Sequence, residues 1–168
     1  MSDRGDTNTE TWSHIHDVRC LLTQVVESVL RRCLSHDQTK LRDPELATFV
    51  EFTPRLKGST YGSDEYKGFL ASMKPALDHH YANNRHHPEH FDAGVSGMTL
   101  VDLIEMLADW KAATMRHDDG DIMRSIEINR GRFGLDDQIA YVLRNTVKSF
   151  GWASYQRSDQ VVSQIEED

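Results

Sequence analysis

Histidine side chains are concentrated in one short stretch of this chain. Nine histidines occur among 168 residues, and five of them fall within twelve consecutive positions. Neutral imidazole is a common ligand of zinc and other divalent first-row transition metals. We therefore predict a metal site that draws on this group, which comprises His79, His80, His86, His87 and His90.

A His-Asp pair stands apart from this stretch, at His36 and Asp37. An adjacent imidazole and carboxylate can converge on one metal ion, or on two neighbouring ions, when a turn presents them. Lys40 follows three residues later, where its ammonium group is placed to bind a phosphate oxygen or to protonate a leaving group. The alternative interpretation is an exposed capping aspartate beside an incidental histidine.

Two predicted helices offer further ligands. His14 lies on the apolar stripe of the first helix and His16 lies opposite, so helical phase favours His14 as a ligand that points inward. A hydrogen-bonded core histidine is the alternative there. Three carboxylates share one side of a later helix. Most such acidic faces are solvated. If other helices covered that side, however, one of the three carboxylates would become a metal ligand. They are Asp102, Glu105 and Asp109.

The elements that must position these groups are predicted from apolar residues that recur every three or four positions, which is typical of amphipathic helices. The first helix covers residues 12–34 and is expected to bury its stripe. Prolines and glycines over 42–62 predict mostly a connection, with one short helix at 45–52. A second long helix, 63–83, is expected to kink at Pro75. A loop over 86–94 then precedes three further helices, at 99–115, 120–132 and 136–150.

We therefore expect an all-α fold, a single-domain helical bundle of about five to seven helices over residues 12–152. Residues 1–11 are expected to form a disordered N-terminal segment, and residues 153–168 a polar C-terminal tail.

Composition excludes several classes of partner. The net charge of −8 argues against duplex nucleic acid as a main partner. No apolar run approaches the roughly 18 residues of a membrane span. Two cysteines without metal-ligand or redox spacing favour the reducing cytoplasm. A homodimer is compatible with the sequence, which does not specify the oligomeric state.

In type and order, these residues resemble the HD superfamily of metal-dependent phosphohydrolases, which are all-helical enzymes. The segment His36-Asp-Gln-Thr-Lys40 looks like the His-Asp-x-Gly-Lys motif of the HD-GYP branch, and His86-His-Pro-Glu resembles its His-His-Glu segment. Residues 108–114 look like the late helix of that branch. The stretch from His80 to His90 also looks like a family of unassigned function common in phages and bacteria.

The resemblance, which covers about residues 14–115, implies an HD-like domain that holds one or two divalent transition-metal ions (Mn, Fe, Co, Ni or Zn). It places the last ligand at Asp109. The implied ligands are His14, His36, Asp37, His80, His86, His87 and Asp109.

The chain departs from the HD-GYP pattern in three places. Thr39 replaces the glycine of the motif, and the Gly-Tyr-Pro signature of cyclic dinucleotide recognition is absent, so that substrate is not carried over. His14 and His36 are also 22 residues apart, a distance of roughly 33 Å along a straight helix. Either the first helix breaks near Glu27-Ser28, or His14 is not a ligand.

The function predicted first is metal-dependent hydrolysis of a small phosphate substrate, a nucleotide or a related ester or anhydride. Asp37 would bridge the metals or accept a proton from water, while Lys40 would offset charge in the transition state. One alternative is a di-iron oxygenase with the same ligand types. Another is a non-catalytic metal- or nucleotide-binding protein, such as a phage-type inhibitor or sponge. Phosphate contacts are expected from Arg85, Arg130, Arg132 and Arg144.

Overall fold

Helices make up most of the described part of the chain. The computed structural model describes residues 4–59, 63–116 and 120–154, which contain seven α-helices and no strand. The all-α prediction is therefore confirmed. None of the described helices combines the length and hydropathy needed to cross a membrane. The helices are α1 (Arg4–Ser35), α2 (Leu46–Gly58), α3 (Asp64–Ser72), α4 (Lys74–Asn83), α5 (Leu100–Thr114), α6 (Ile122–Phe133) and α7 (Asp137–Ser149).

The chain divides into two compact units, Met1–His80 and Tyr81–Asp168. The first contains α1, α2 and α3, and the second contains α5, α6 and α7. Most of the predicted C-terminal tail, from residue 155 onward, lies outside the described residues.

Helix α1 is one unbroken helix of 32 residues. It begins at Arg4, so the expectation that residues 1–11 are disordered is wrong for residues 4–11. No proline or glycine follows Gly5 until Pro44, and adding residues to an existing helix is far easier than nucleating one. The expectation that its apolar stripe is buried is also wrong, because none of residues 7–35 is buried.

Proline has different effects within α2 and at the junction between α3 and α4. Helix α2 continues past Pro54 and ends at Gly58, so it is longer than the short helix predicted over residues 45–52. The long helix predicted over 63–83 is divided at Met73 into α3 and α4. The break precedes Pro75 because proline has no N–H to donate to the Ala71 carbonyl and its ring clashes with that carbonyl, whereas proline fits in the first turn of a new helix.

The second unit has a conventional apolar core. Helices α5, α6 and α7 enclose a cluster of seven buried side chains, each at most 6% exposed, and Trp110 stacks on Phe133 beside it. The predicted boundaries of these helices are correct to within two residues. The buried cluster consists of Met106, Leu107, Ile122, Ile126, Leu135, Leu143 and Val147.

Caps fix the ends of these three helices. Thr99 and Asp102 form a reciprocal capping box at the start of α5, and the carboxylates of Asp121 and Asp136 accept backbone N–H bonds at the starts of α6 and α7. Gly134 ends α6 in the left-handed region, which a glycine adopts at no steric cost.

Candidate metal centre

A tight turn presents the His-Asp pair at the end of α1. Asp37 has a φ of 57° and a ψ of 10°, and it leads directly into a 3-10 turn over Gln38–Leu41. Left-handed backbone is unfavourable for most residues, but aspartate is among those that tolerate it. The turn stops the helix after Ser35 and directs the Asp37 carboxylate away from the helix axis.

Three basic side chains of the first unit surround the Asp37 carboxylate. Lys40 donates to Oδ2 over 2.6 Å, and His36 Nε2 lies 3.5 Å from the same oxygen. His80 Nε2 lies 3.3 Å from Oδ1. Because α4 supplies His80 and the turn supplies the others, residues far apart in sequence meet at this carboxylate.

A buried glutamate orients His80. Glu45 and His80 are 0% and 1% exposed, and His80 Nδ1 lies 2.9 Å from Glu45 Oε2. Thr39 donates its hydroxyl to the same oxygen over 2.9 Å. The edge of the Phe49 ring packs against the imidazole, with centroids 5.7 Å apart. A carboxylate that accepts the Nδ1 proton fixes the tautomer and makes Nε2 the ligand nitrogen.

The distances around Asp37 fit a metal ion. Because Nδ1 of His80 faces Glu45, Nε2 faces Asp37 Oδ1 across 3.3 Å, and either a proton that Nε2 donates to the carboxylate or a cation must lie between the two atoms. Ligand atoms of one tetrahedral zinc ion are about 3.3–3.5 Å apart, since each bond is about 2.0–2.1 Å. His80 Nε2 and Asp37 Oδ1 are therefore spaced as two ligands of one divalent transition metal, and His36 Nε2 lies beside the other oxygen of the same carboxylate.

The carboxylates of Asp37 and Glu45 stay ionised over a wide pH range. Burial by itself raises the pKa of Asp37, but the hydrogen bond with His80 and the charge of Lys40 outweigh it, so the pKa is well below its ordinary value. Burial likewise opposes ionisation of Glu45, whose pKa is nevertheless lowered by hydrogen bonds from His79, His80 and Thr39. The anionic form of each is the one that ligates a metal or orients a ligand.

Sequence reasoning missed Glu45. It occupies the N-terminal cap of α2, yet its side chain does not cap the helix and instead accepts from two histidines, including His79 Nδ1 at 2.7 Å. The available signal was weak, since an acidic residue that opens a helix is usually explained by the helix dipole. Thr39, noted as a departure from the HD-GYP motif, has a role here as a donor to Glu45.

The second unit holds another histidine group. His86 is 2% exposed, and its Nδ1 lies 3.2 Å from Glu105 Oε1. The rings of His86 and His87 are 4.1 Å apart, and Tyr81 contacts the second ring with centroids separated by 4.9 Å. His90, which was not among the predicted ligands, donates from Nδ1 to the Tyr81 carbonyl over 2.9 Å.

The acidic side of α5 is not a solvated face. Asp102 is fully buried and forms a two-point ion pair with Arg85, with distances of 3.1 and 2.9 Å. Glu105, one turn later, is the carboxylate beside His86, whereas the resemblance had favoured Asp109, which is partly buried a further turn along.

The arginines predicted to bind phosphate are already in ion pairs. Arg85 is held by Asp102 and lies over the Phe91 ring, so its interactions are those of a structural anchor for the start of α5. Arg132 pairs with Glu89 at 2.8 Å. The other two pair with carboxylates on α6 and α7: Arg130 with Glu127 and Asp137, and Arg144 with Glu127.

His14 is separated from the other predicted ligands of its unit. It is exposed, and α1 runs without a break from Arg4 to Ser35, so all 21 residues between it and His36 are helical. Of the two alternatives drawn from the sequence, the structure supports the second, in which His14 is not a ligand. The helix continues through Glu27-Ser28, where the Ser28 hydroxyl donates to the Gln24 carbonyl one turn back.

The predicted ligands thus form two local groups. The first unit brings together His36, Asp37 and His80, with Lys40 beside them. The second unit places His86 next to His87 and Glu105. Their assignment to one shared centre stays a sequence-based prediction.

Comparison with known proteins identifies a family without assigning an activity. The chain matches the family described as "Family of unknown function (DUF5662)" over residues 3–149, which is most of its length. No curated protein and no solved structure matches it. The chain therefore belongs to the DUF5662 family.

Proposed function

We propose that this protein is a metal-dependent phosphohydrolase that acts on a small phosphate substrate, a nucleotide or a related ester or anhydride. The main support is the arrangement around Asp37, where an imidazole oriented by a buried glutamate lies 3.3 Å from one carboxylate oxygen. Lys40 lies 2.6 Å from the other oxygen. The order of motifs that resembles the HD superfamily supports the same reaction class.

His36, Asp37 and His80 are the ligands that we assign in the first unit. A divalent ion held by them would lower the pKa of a bound water towards neutrality and polarise a phosphoryl oxygen. Glu45 keeps the His80 nitrogen aimed at that position, because it holds the opposite side of the ring.

Lys40 supplies the positive charge beside the ligands. Its side chain is 31% exposed, lies over the Phe49 ring and donates to Asp37, so it borders both the ligands and solvent. An ammonium group in this position offsets the negative charge that develops on a transferring phosphoryl group. The overall charge of −8 keeps long polyanions away, which favours a small substrate.

The first experiment is elemental analysis of protein purified without a histidine tag, before and after incubation with Mn, Fe or Zn. We expect about one or two ions per chain, and loss of most of this metal in His36→Ala/Asp37→Ala. His16→Ala, which removes an exposed histidine of α1, is the matched control and should retain the metal. Fewer than about 0.2 ions per chain in the unmutated protein would remove the basis of the proposal.

The second experiment measures phosphate released from a panel of nucleotides and cyclic nucleotides by the metal-loaded protein. Lys40→Ala should keep the metal and lose about 10²–10⁴-fold in turnover. Oxygen consumption by the iron-loaded protein without phosphate release would instead establish the oxygenase alternative. Nucleotide binding without turnover, and with unchanged affinity in Lys40→Ala, would establish the non-catalytic one.

A further inference from the structure

Helix α1 presents a long apolar face to solvent. The stripe runs from Trp12 to Leu34, and its large side chains remain substantially exposed, with Leu22 at 59% and Val26 at 57%. In proteins, a helix owes most of its stability to the packing of its apolar face. Contiguous exposed apolar patches of several hundred Å² therefore mark interaction sites. Other exposed members of the face are Val18, Val25 and Leu30.

The spacing on this face is that of a helix that pairs with another helix. Ile15, Val18, Leu22, Val25 and Val29 are separated by three, four, three and four residues. Their mean period of 3.5 residues is the repeat that keeps an apolar seam facing a partner helix in a coiled coil. Branched aliphatic side chains occupy every position of this seam, as knobs-into-holes packing requires.

We propose that the partner is the α1 helix of a second copy of this chain, packed antiparallel to form a homodimer. The apolar residues Ile15, Val18, Leu22, Val26 and Val29 of this face are symmetric about Leu22, at seven and four residues on either side of it. A two-fold axis at Leu22 therefore pairs Ile15 with Val29, Val18 with Val26 and Leu22 with its own copy, while Val25 lies opposite Arg19. This is the self-complementarity that an isologous dimer interface needs.

The area of the face is sufficient for a stable dimer. Nine apolar side chains project within it between Trp12 and Cys33, and at on the order of 80 Å² each they would bury roughly 700 Å² per copy. Stable interfaces bury about 800 Å² per partner. The full set is Trp12, Ile15, Val18, Leu22, Val25, Val26, Val29, Leu30 and Cys33.

Charge favours the antiparallel orientation. Residues 7–18 carry Glu10 and Asp17 and no lysine or arginine, whereas residues 23–35 carry two arginines, Arg31 and Arg32, against one acidic residue, Glu27. An antiparallel pair places the acidic part of each helix beside the basic part of the other. The two helix dipoles also oppose each other in this arrangement.

The oligomeric state tests the interface. We expect the unmutated protein to sediment as a dimer at micromolar concentration, and Leu22→Glu to be monomeric at the same concentration with an unchanged circular dichroism spectrum per residue. Val142→Glu is the matched control, because Val142 is equally exposed on α7 at 57%, and it should remain dimeric. An unmutated monomer, or a dimer that survives Leu22→Glu, would overturn the proposal. A monomer that binds lipid vesicles through this face would also overturn it, by assigning the face to a membrane.

Cross-linking tests the orientation. In an antiparallel pair centred on Leu22, position 11 of one copy lies beside Cys33 of the other, since each is eleven residues from the axis. In the Cys20→Ser background, Thr11→Cys should therefore form an intermolecular disulfide with Cys33 under mild oxidation. The parent Cys20→Ser protein should not form one, because its two Cys33 residues would be roughly 33 Å apart. Efficient Cys33–Cys33 cross-linking would establish a parallel pair and refute the orientation.

Discussion

The two units of this protein are stabilised by different kinds of interaction. Helices α5, α6 and α7 enclose a cluster of seven buried apolar side chains in the second unit. In the described part of the first unit only four residues are buried, and two of them, Glu45 and His80, belong to the candidate metal centre. The comparison indicates that the second unit is ordered by its apolar core, whereas the first depends strongly on the same polar groups that we expect to bind metal.

The largest expected effect tests this contrast with the same substitution in each unit. Met106 and Met73 are 0% and 1% exposed, but only Met106 belongs to the apolar cluster. We expect Met106→Ala to lower the free energy of unfolding by about 4 kcal/mol, and Met73→Ala by about 2 kcal/mol, because sparsely packed surroundings collapse more readily into the cavity.

Urea denaturation followed by circular dichroism measures both losses. Val142→Ala, at an exposed position of α7, is the control and should change stability by less than about 0.5 kcal/mol. Equal losses in the two methionine variants would show that the first unit has an apolar core of the same quality, and the contrast between the units would fail.

The next effect concerns Asp102, the one fully buried carboxylate in the described part of the second unit. Burial opposes ionisation of Asp102, but bonds from Arg85 and Thr99 prevail and lower its pKa from 3.8 to about 2. A pKa lowered by folding stabilises the native state above pH 4, and this contribution disappears as the pH falls towards 2. The contribution at neutral pH is about 2 kcal/mol.

Asp102→Asn should therefore lose about 2 kcal/mol at pH 7, and its stability should fall less steeply than that of the unmutated protein between pH 4 and pH 2. Urea midpoints at several pH values measure this difference. Asp92→Asn, which alters an exposed aspartate, should leave the pH profile unchanged. Parallel profiles for the unmutated protein and Asp102→Asn would show that the Arg85 pair contributes nothing to acid sensitivity.

A third variant, Glu45→Gln, separates metal binding from folding in the first unit. The amide keeps the size of the side chain but supplies only one acceptor oxygen for two imidazoles. We expect a loss of metal affinity of about 10–100-fold, as is typical when the group that orients a ligand histidine is changed. Titration calorimetry with Zn²⁺ measures the change, and unaltered affinity would exclude an orienting role for Glu45.

The smallest expected effect is that of Thr39→Val, which removes the hydroxyl that donates to Glu45. The replacement has almost the same shape, so the loss of one hydrogen bond to a charged group should cost about 1–2 kcal/mol without metal. A larger loss in the metal-free protein than in the metal-loaded one would show that bound metal takes over part of the ordering. An identical loss in both forms would show that the hydroxyl acts independently of the metal.

The helices of the second unit were predictable because their signals are local. Apolar periodicity and the cap at Thr99 gave the limits of α5, and Asp136 marked the start of α7. Pro75 likewise indicated the break between α3 and α4. The exposure of the α1 stripe was not predictable, since an apolar face has the same pattern whether it packs within its own chain or against another.

Part of the candidate centre was also accessible from sequence. His36, Lys40 and His80 each lie beside the Asp37 carboxylate, and their assignment as ligands and phosphate-binding residues stays a prediction. The roles of Glu45 and Glu105 could not be derived, because each contacts a histidine many positions away and nothing in the local pattern distinguishes it from a surface carboxylate. The pairing of Arg85 with Asp102 could not be predicted for the same reason. Arg85, which directly precedes two histidines in the sequence, was therefore expected to bind phosphate.

The left-handed backbone of Asp37 has a consequence for how related sequences can diverge. A residue with a side chain is retained in this conformation at a cost of about 1 kcal/mol that glycine does not incur. Under the proposed function, a relative that uses the carboxylate must keep Asp37 despite this backbone cost, whereas a relative without the metal centre can carry glycine at this position. Under the proposed function, the residue at this single turn position therefore distinguishes relatives expected to keep the metal centre from relatives expected to lack it.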